Sequence, residues 1–565
     1  MKRGTLRFIA SWSLRAASLA LVFGATAPLA GCADENDPKT WVKRLDDPAQ
    51  RSAAAKRLSQ FFDDAMTKAN KNREDPVVTS LLGDVVEPMT KVYVAGNLDD
   101  KTRKELMKSL ADMRDARTAP ALAKAFNDFE PGKNDDDVKF AAQATGGLAK
   151  QGKLTDTAVI DALWGCFAKL QPTKVKSINL VKDVHDAVLV VKHPSYGPKA
   201  VDKLAPPINP DDADSVTDQA EFWQKTSIQV LKELKFEPAA RALVKVVLTP
   251  TKGMLRGAAN SALMNVPKAA EPLFIGAING SDAELAKMLK DIPEKAGVAV
   301  AADAVSWISR PAGRDALIAA LPSADNDTNR TVIAQSLTRY PSDPKVEDAL
   351  MTTYKKLTPG TRLKAPGDPF GRPVLVQVAA SLYDPALTDW VVHEVSSSKG
   401  DEAGSMQVFG IEAAIKLMTK AQVPAVTALV SKVWAPKEQE ENFKSAGAIA
   451  GQCGQDAACY VKVLDEPIPT SPRTQATKAV KACWMAAMYG KDDAKTALLG
   501  KLDKVRDPGV RLALVEAIDH LAPKGDNAAA AAIEKIVETD EASGNAGGDD
   551  ALVKVAQRLR ARAMP

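Results

Sequence analysis

The stretch DPGVRLALVEAIDHL, residues 507–521, decides the fold of this chain. Asp507 is a residue type that caps helix N-termini, and Pro508 is suited to the first helical turn. Apolar residues then recur at spacings of three and four, which predicts an amphipathic helix. They are Val510, Ala513, Leu514, Ala517, Ile518 and Leu521. The charged residues that lie off this stripe are Arg511, Glu516 and Asp519.

A helix-turn-helix pattern recurs along the chain. An Ala-Leu pair that opens an apolar turn stands thirteen residues before a basic residue in three places: Leu243 to Arg256, Leu317 to Arg330 and Leu498 to Arg511. Looser copies lead from Ala121 to Lys139 and from Ala428 to Lys444. Because one helix pair cannot cover its own apolar stripe, the pairs must stack. The sequence therefore predicts an all-α fold, an α-α superhelix of antiparallel helix pairs.

Residues 47–58, DPAQRSAAAKRL, begin in the same way as residues 507–521. These segments resemble HEAT-repeat (armadillo-type) proteins, particularly their short bacterial form, whereas the periodic pattern of TPR repeats is not apparent. The resemblance implies a HEAT-like solenoid in which the turn Asp and the second-helix Arg support stacking between successive repeats. The residues to which this role is carried over are Asp47, Arg51, Asp507 and Arg511. Arg256 and Arg330, whose turns lack the Asp-Pro pair, are predicted to have the same stacking role.

The N-terminus has the features of a secretory signal. Four basic residues precede an uncharged run over 16–31, which is shorter than the roughly 20 residues of a membrane span. The run ends in Leu29-Ala30-Gly31-Cys32, which resembles the lipobox of bacterial lipoproteins. The resemblance implies cleavage between Gly31 and Cys32, lipidation of the Cys32 sulfur and acylation of the new amino terminus. The alternative is an ordinary cleaved signal with an incidental cysteine.

The anchor and its neighbours predict a location in the bacterial cell envelope. Two or more acyl chains hold a protein firmly at a membrane, since each buried methylene contributes about 0.8 kcal/mol. Ala33 follows the cysteine. Because bacterial lipoproteins with Asp at this position tend to stay in the inner membrane, Ala33 favours the outer membrane, on its periplasmic or surface face.

Charge balance argues against a nucleic-acid partner. The chain has 75 Lys and Arg residues, and removal of the four in segment 1–31 leaves 71, which equals the 71 Asp and Glu residues. Nucleic-acid-binding domains usually carry a basic excess.

Two cysteines predict a disulfide. Cys453 and Cys459 are six residues apart, so on a continuous helix they would face nearly opposite sides. The intervening Gly454-Gln455-Asp456 can break the helix, and a short bridged loop then meets the geometry of a disulfide. A metal-ligating pair is the weaker alternative, because no histidine or third cysteine is near in sequence. Cys166 and Cys483 are predicted to be buried helical thiols.

Composition divides the chain into nine predicted segments. They are a signal peptide (1–31), a lipidated cysteine with an acidic tether (32–39), N-terminal helical repeats (40–192), a Pro-rich loop (193–216), central HEAT-like repeats (217–357), a Pro/Gly-rich loop (358–373), C-terminal HEAT-like repeats (374–539), a flexible loop (540–550) and a capping helix (551–565). For the capping helix, binding to anionic lipid is the alternative.

The sequence contains no recognisable catalytic motif. Its four histidines form no metal-binding spacing, and neither a nucleophile elbow, a P-loop nor a dinucleotide turn is present. We therefore predict no catalytic residue, metal or cofactor. The predicted function is a membrane-anchored scaffold that binds a protein or peptide on the concave surface of its solenoid. The alternatives are an accessory subunit or lyase-like enzyme of the HEAT superfamily, or a structural protein of the cell envelope.

Overall fold

The structure, a computed structural model, describes residues 34–175, 178–363, 368–432, 437–469, 473–542 and 549–564. Within these ranges the chain forms 29 α-helices, and its only β-type pairing is an isolated bridge between Arg362 and Phe370. The helices divide into two compact units after Lys124. The predicted all-α fold of stacked helix pairs is confirmed.

The first unit contains four complete helices and the start of a fifth. They are α1 (Pro38–Arg44), α2 (Arg51–Lys68), α3 (Pro76–Ala95), α4 (Asp100–Met113) and α5 (Ala119–Asn127). α1 packs against α2 and α3, and α2 packs against α3 and α4. α1 and α2 therefore each contact the next helix and the next but one, as in a helical-repeat array.

The second unit contains the remaining helices. The first twelve are α6 (Asp135–Lys150), α7 (Thr157–Lys169), α8 (Ile178–Val191), α9 (Tyr196–Leu204), α10 (Asp214–Leu234), α11 (Ala240–Leu248), α12 (Arg256–Leu263), α13 (Pro267–Asn279), α14 (Ala283–Lys290), α15 (Gly297–Ile308), α16 (Pro311–Ala320) and α17 (Asp327–Leu337). They are followed by α18 (Pro344–Lys356), α19 (Gly371–Ala379), α20 (Leu387–Ser397), α21 (Ala403–Leu417), α22 (Val423–Lys432), α23 (Lys437–Cys453), α24 (Ala457–Val463), α25 (Thr474–Tyr489), α26 (Asp492–Leu499), α27 (Pro508–His520), α28 (Asn527–Ala542) and α29 (Asp549–Ala563).

Each of the three thirteen-residue spacings joins two consecutive helices. They connect α11 to α12, α16 to α17 and α26 to α27. The two helices of each pair pack against each other, and packing also extends to the next but one, as between α11 and α13, α15 and α17, or α25 and α27. Small residues permit this close approach, since a Cβ on Gly410 of α21 would stand 2.2 Å from a methyl group of Val395 on α20.

Helix α27 has the predicted N-terminus, but more of its residues are buried than the apolar stripe predicts. Asp507 accepts a hydrogen bond from the Val510 N–H at 3.0 Å, and Pro508 begins the helix. However, Arg511 and Asp519, which lie off the apolar stripe, are also buried. The reason is that α27 is packed against α25, α26 and α29, so several of its faces meet other helices.

The earlier copy of the motif begins its helix differently. α2 starts at Arg51 rather than directly after Asp47. The Asp47 carboxylate instead accepts a hydrogen bond from the Ala49 N–H at 2.9 Å and one from the Gln50 side chain at 2.7 Å. Asp47 therefore stabilises the turn before the helix, while the helix itself has no side-chain cap.

The predicted loop over 193–216 contains a helix, α9. Tyr196 is fully buried, and its hydroxyl donates to the Ile160 carbonyl at 2.9 Å. Ala200 and Leu204 continue the same buried face. The residues that indicated a loop do not prevent this helix, because Pro198 falls in its first turn, where a backbone N–H has no helical partner.

Two other predicted boundaries also shift. In the Pro/Gly-rich segment 358–373 the described residues form the bridge of Arg362 with Phe370, and α19 begins at Gly371. In the predicted flexible loop 540–550, α28 continues to Ala542 and α29 begins at Asp549, while residues 543–548 lie outside the described ranges. Asp540 is buried within α28, where it pairs with Arg511.

Candidate functional site

The predicted anchor lies outside the described residues. Gly31 and Cys32 precede residue 34, so cleavage and lipidation stay predictions. From Glu35 onward, however, the predicted tether is folded. The Glu35 carboxylate accepts hydrogen bonds from Arg44, which lower its pKa, and its carbonyl accepts one from the Trp41 ring at 2.9 Å. The first helix therefore begins within six residues of Cys32.

The second-helix arginines bind backbone carbonyls of their own helix pairs. Arg51 Nε donates to the Leu45 carbonyl at 2.8 Å, and Arg511 Nε donates to the Val505 carbonyl at 3.0 Å, in both cases six residues earlier. Arg256 Nε donates to the carbonyl of Val247 at 3.1 Å. Carbonyls near helix C-termini lack intrahelical partners and attract cations. These arginines therefore fix the turn between the two helices.

Contacts between successive pairs are seen for some of the predicted stacking residues. Asp507 pairs with Arg473, which precedes α25, at 2.6 Å, and Arg511 pairs with Asp540 of α28. Arg51 also donates to the Asn97 carbonyl at 3.4 Å.

The other two arginines bond locally. Arg330 pairs with Asp327 of its own helix at 2.9 Å, and the hydrogen bond described for Arg256 stays within the α11–α12 pair. The stacking role of Arg256 and Arg330 stays a prediction.

The paired cysteines lie at a helix break. Cys453 ends α23, Gly454 takes a positive φ of 58°, and α24 begins at Ala457. The structure joins Cys453 to Cys459 in a disulfide with a Cα–Cα distance of 5.5 Å. Cys166 and Cys483 are free and fully buried, and burial raises the pKa of both thiols.

The C-terminal helix closes a ring of helices within the second unit. α15, α17, α19, α21, α25, α27 and α29 pack in succession, and α29 packs in turn against α15. The Arg310 guanidinium, just after α15, donates to the carbonyls of Ala561 at 3.2 Å and Met564 at 2.9 Å. Arg310 thereby caps the C-terminus of α29. The predicted capping helix therefore packs against α15 as well as against α27 and α28. It joins the helices of the ring instead of covering one open end of an array.

The ring encloses a cavity of about 250 Å³. Side chains from α15, α17, α19, α25, α27 and α29 line it, together with residues that follow α17 and α19. Its aromatic lining is Trp307, Tyr340, Tyr383, Trp484 and His520, and its charged lining is Arg339, Glu516, Asp519, Arg558 and Arg562. A concave site with an aromatic wall and converging polar groups is the arrangement in which proteins bind small molecules.

Asp519 is the centre of the charged lining. Arg558 approaches one carboxylate oxygen at 2.6 Å, and Arg562 bonds to the other. The side chains of all three are at most 9% exposed. The third arginine of the lining, Arg339, pairs with Asp303 at 2.7 Å and lies 4.2 Å from the centre of the Trp307 ring.

Glu516 and His520 lie one turn apart on α27 and both line the cavity. The His520 ring stacks on Tyr383 with centroids 4.0 Å apart, and Tyr383 stacks on Trp484 at 5.1 Å. Burial lowers the pKa of His520 to about 4 and raises the pKa of Glu516. The cavity thus holds a neutral imidazole beside a carboxyl group that protonates more readily than usual, a combination that serves ligand binding or proton transfer.

Four hydrogen-bond donors in the cavity lining have no acceptor among the described residues. They are the hydroxyls of Tyr340 and Tyr383 and the Nε groups of Arg558 and Arg562. Buried polar groups without partners are uncommon in folded proteins, and each costs about 1–3 kcal/mol. Because these groups line a cavity, a bound molecule or water can accept their hydrogen bonds.

A second concave site, the α21–α25 groove, lies outside the ring cavity. It has a volume of about 300 Å³ and is lined by Val408, Ile411, Ile415 and Val480, with Glu412, Lys416 and Arg473 among its polar lining. Val408 is 55% exposed, which is unusual for an apolar side chain in this chain. Such a groove fits the apolar face of a helix or peptide.

Sequence reasoning identified the elements of the ring but missed its cavity. The lining side chains come from helices spread over more than 250 residues, so their convergence depends on the closure by α29. One signal was available: Glu516, Asp519 and His520 share a face of α27, and Arg558 and Arg562 share a face of α29. Opposite charges at helical spacing on two stacked elements are candidates for a buried pair.

The buried histidine predicts a pH-dependent stability. Because the native pKa of about 4 lies below the usual 6.5, the unfolded state takes up a proton first as the pH falls. Stability is therefore lost between about pH 6.5 and pH 4, by about 3 kcal/mol. His520→Phe keeps the ring stack and cannot titrate, so its urea-unfolding free energy should fall by about 3 kcal/mol less than that of the wild type over this range. Identical pH profiles would contradict the assignment.

The described residues contain no group of three or more His, Cys, Asp or Glu side chains placed to hold a metal ion. In the same ranges, no helix has the length and apolar character that a membrane crossing requires.

Helix pairing and ring closure define the chain as an all-α helical-repeat protein. No protein-family model matches the chain, and no curated protein matches it. Among solved structures it is similar to a mutant of Kap121p, with 13% identity over 92% of this chain and 77% of that chain and a TM-score of 0.33. It is also similar to importin beta, with 9% identity over 93% of this chain and 76% of that chain and a TM-score of 0.33.

Proposed function

We propose that the chain is a lipid-anchored scaffold of the bacterial cell envelope, at the outer membrane, that holds a protein or peptide partner. The evidence for the lipid anchor is the sequence Leu29-Ala30-Gly31-Cys32 at the end of an uncharged run. The folded array begins at Pro38, six residues after Cys32, and six residues span at most about 20 Å. The first helix pair is thus held close to the membrane surface.

The α21–α25 groove supports the scaffold role. Its apolar floor is exposed at Val408, and Lys416, Arg473 and Glu412 supply charges of both signs at its edges. An amphipathic helix binds such a groove through apolar residues at helical spacing, and the rim charges select its orientation. We therefore assign the partner as a peptide segment with an apolar helical face.

Two exposed valines give a matched test of this surface. Val408 in the groove is 55% exposed, and Val216 on α10 is 54% exposed. We expect Val408→Asp to abolish a cross-linked partner recovered from native membranes, because the aspartate places an unpaired charge in the apolar contact. Val216→Asp should leave recovery unchanged. Equal recovery with both variants would contradict binding in the groove.

A further inference from the structure

We propose that the cavity inside the closed ring binds a small organic anion, a carboxylic acid with a single ring or a short apolar body. This inference rests on neither the lipid anchor nor the α21–α25 groove. The cavity volume of about 250 Å³ accommodates a molecule of that size, near the lower end of the usual range of about 300–1,000 Å³ for ligand sites.

The charges of the lining favour an anion. Three arginines, Arg339, Arg558 and Arg562, line the cavity, and Arg339 is already paired with Asp303 at 2.7 Å. Arg558 and Arg562 share the single carboxylate of Asp519, so this cluster retains one positive charge. A ligand carboxylate supplies the missing negative charge.

The protonation equilibria point in the same direction. Burial raises the pKa of Glu516, which reduces its negative charge near neutral pH. Burial lowers the pKa of Arg562 and Arg339, and the neighbouring positive charge of Arg558 lowers both further. The positive charge of Arg558 therefore repels those of Arg562 and Arg339, and a bound anion relieves that repulsion.

The unpartnered groups of the lining are donors. The hydroxyl of Tyr383 and the Nε–H groups of Arg558 and Arg562 have no acceptor among the described residues. A carboxylate offers about four acceptor sites on two oxygens. Trp307, Tyr383 and Trp484 supply apolar wall for the rest of such a molecule.

Three probes of one shape and different charge test the class of ligand. We expect isothermal titration of the purified full chain to show saturable benzoate binding in the millimolar range or tighter. Benzamide, which is neutral, and benzylamine, which is cationic, should bind at least about tenfold more weakly. The proposal would be overturned if benzoate and benzamide bound equally or if benzylamine bound more tightly than benzoate. It would also be overturned if benzoate showed no saturable binding.

Two variants separate binding from folding. Tyr383→Phe removes a buried hydroxyl without a partner, so it should keep or raise the melting temperature while weakening benzoate several-fold. The control is Tyr460→Phe, since the Tyr460 hydroxyl donates to the Gly454 carbonyl at 2.8 Å outside the cavity. It should leave benzoate affinity unchanged.

Glu516→Gln tests the sign of the charge. It removes a negative charge from the lining and should strengthen benzoate binding several-fold. Unchanged benzoate affinity in both Tyr383→Phe and Glu516→Gln would contradict binding in this cavity.

Discussion

Asp519→Ala is expected to lower the free energy of unfolding by about 3–5 kcal/mol, because it leaves two buried arginines without their shared carboxylate. Arg558 and Arg562 are only 9% and 3% exposed, so water cannot replace the lost partner without opening the contact between α27 and α29. Urea unfolding of the purified chain measures this loss as a lower transition midpoint.

An exposed aspartate provides the control for this variant. Asp492 also pairs with a cation, Lys495 at 3.3 Å, but its side chain is 91% exposed. Asp492→Ala should cost less than about 1 kcal/mol, since solvent screens such a pair. The triple variant Asp519→Leu, Arg558→Met, Arg562→Met replaces the whole triad with apolar side chains. It should recover most of the stability that Asp519→Ala loses. Equal, small effects of Asp519→Ala and Asp492→Ala would contradict a buried triad.

Arg511→Ala is expected to cost about 3 kcal/mol, the second largest effect. The substitution removes the cation beside the buried Asp540 and the donor to the Val505 carbonyl. The two lost interactions join α27 to α28 and to the preceding turn, so urea unfolding should report a lower midpoint for the second unit.

Arg506 allows a matched comparison, because it approaches the same carboxylate. Its distance to Asp540 is 3.6 Å, but the Arg506 side chain is 68% exposed, whereas that of Arg511 is 8% exposed. Arg506→Ala should therefore cost less than about 1 kcal/mol. If Arg511→Ala and Arg506→Ala lower the free energy of unfolding equally, burial does not explain the contribution of Arg511 to stability.

The pattern of residues 507–521 predicts the helix and its N-terminus correctly, because both are local. The cap of Asp507 and the position of Pro508 depend only on the adjacent turn. The apolar stripe likewise predicts the face that enters the core. The burial of Arg511 and Asp519 could not be predicted in this way, since their partners lie on α28 and α29.

Proline and glycine content misled the prediction at α9 and near α19. The pattern counts Pro198 as a helix breaker wherever it stands, although in a first helical turn proline costs little. The buried Tyr196, with its bond to the Ile160 carbonyl, outweighs that local signal. Tertiary contacts of this kind determine where a helical array departs from its repeat pattern.

The candidate site was harder to predict than the fold for the same reason. No single lining residue indicates a cavity when its own helix is considered alone. The cavity forms because α29 packs against α15 and its C-terminus is hydrogen-bonded by Arg310. A repeat pattern contains information on neighbouring pairs, but not on whether a ring of pairs closes.

The measurement that tests the central claim most directly is membrane fractionation of cells that produce the wild type or Cys32→Ala. We predict that the wild type pellets with the outer membrane and is extracted only by detergent. Cys32→Ala should be recovered in the soluble fraction with the same melting temperature, because Cys32 precedes the folded array that begins at Pro38. Retention in the membrane fraction of Cys32→Ala from which the signal has been removed would contradict the lipid anchor.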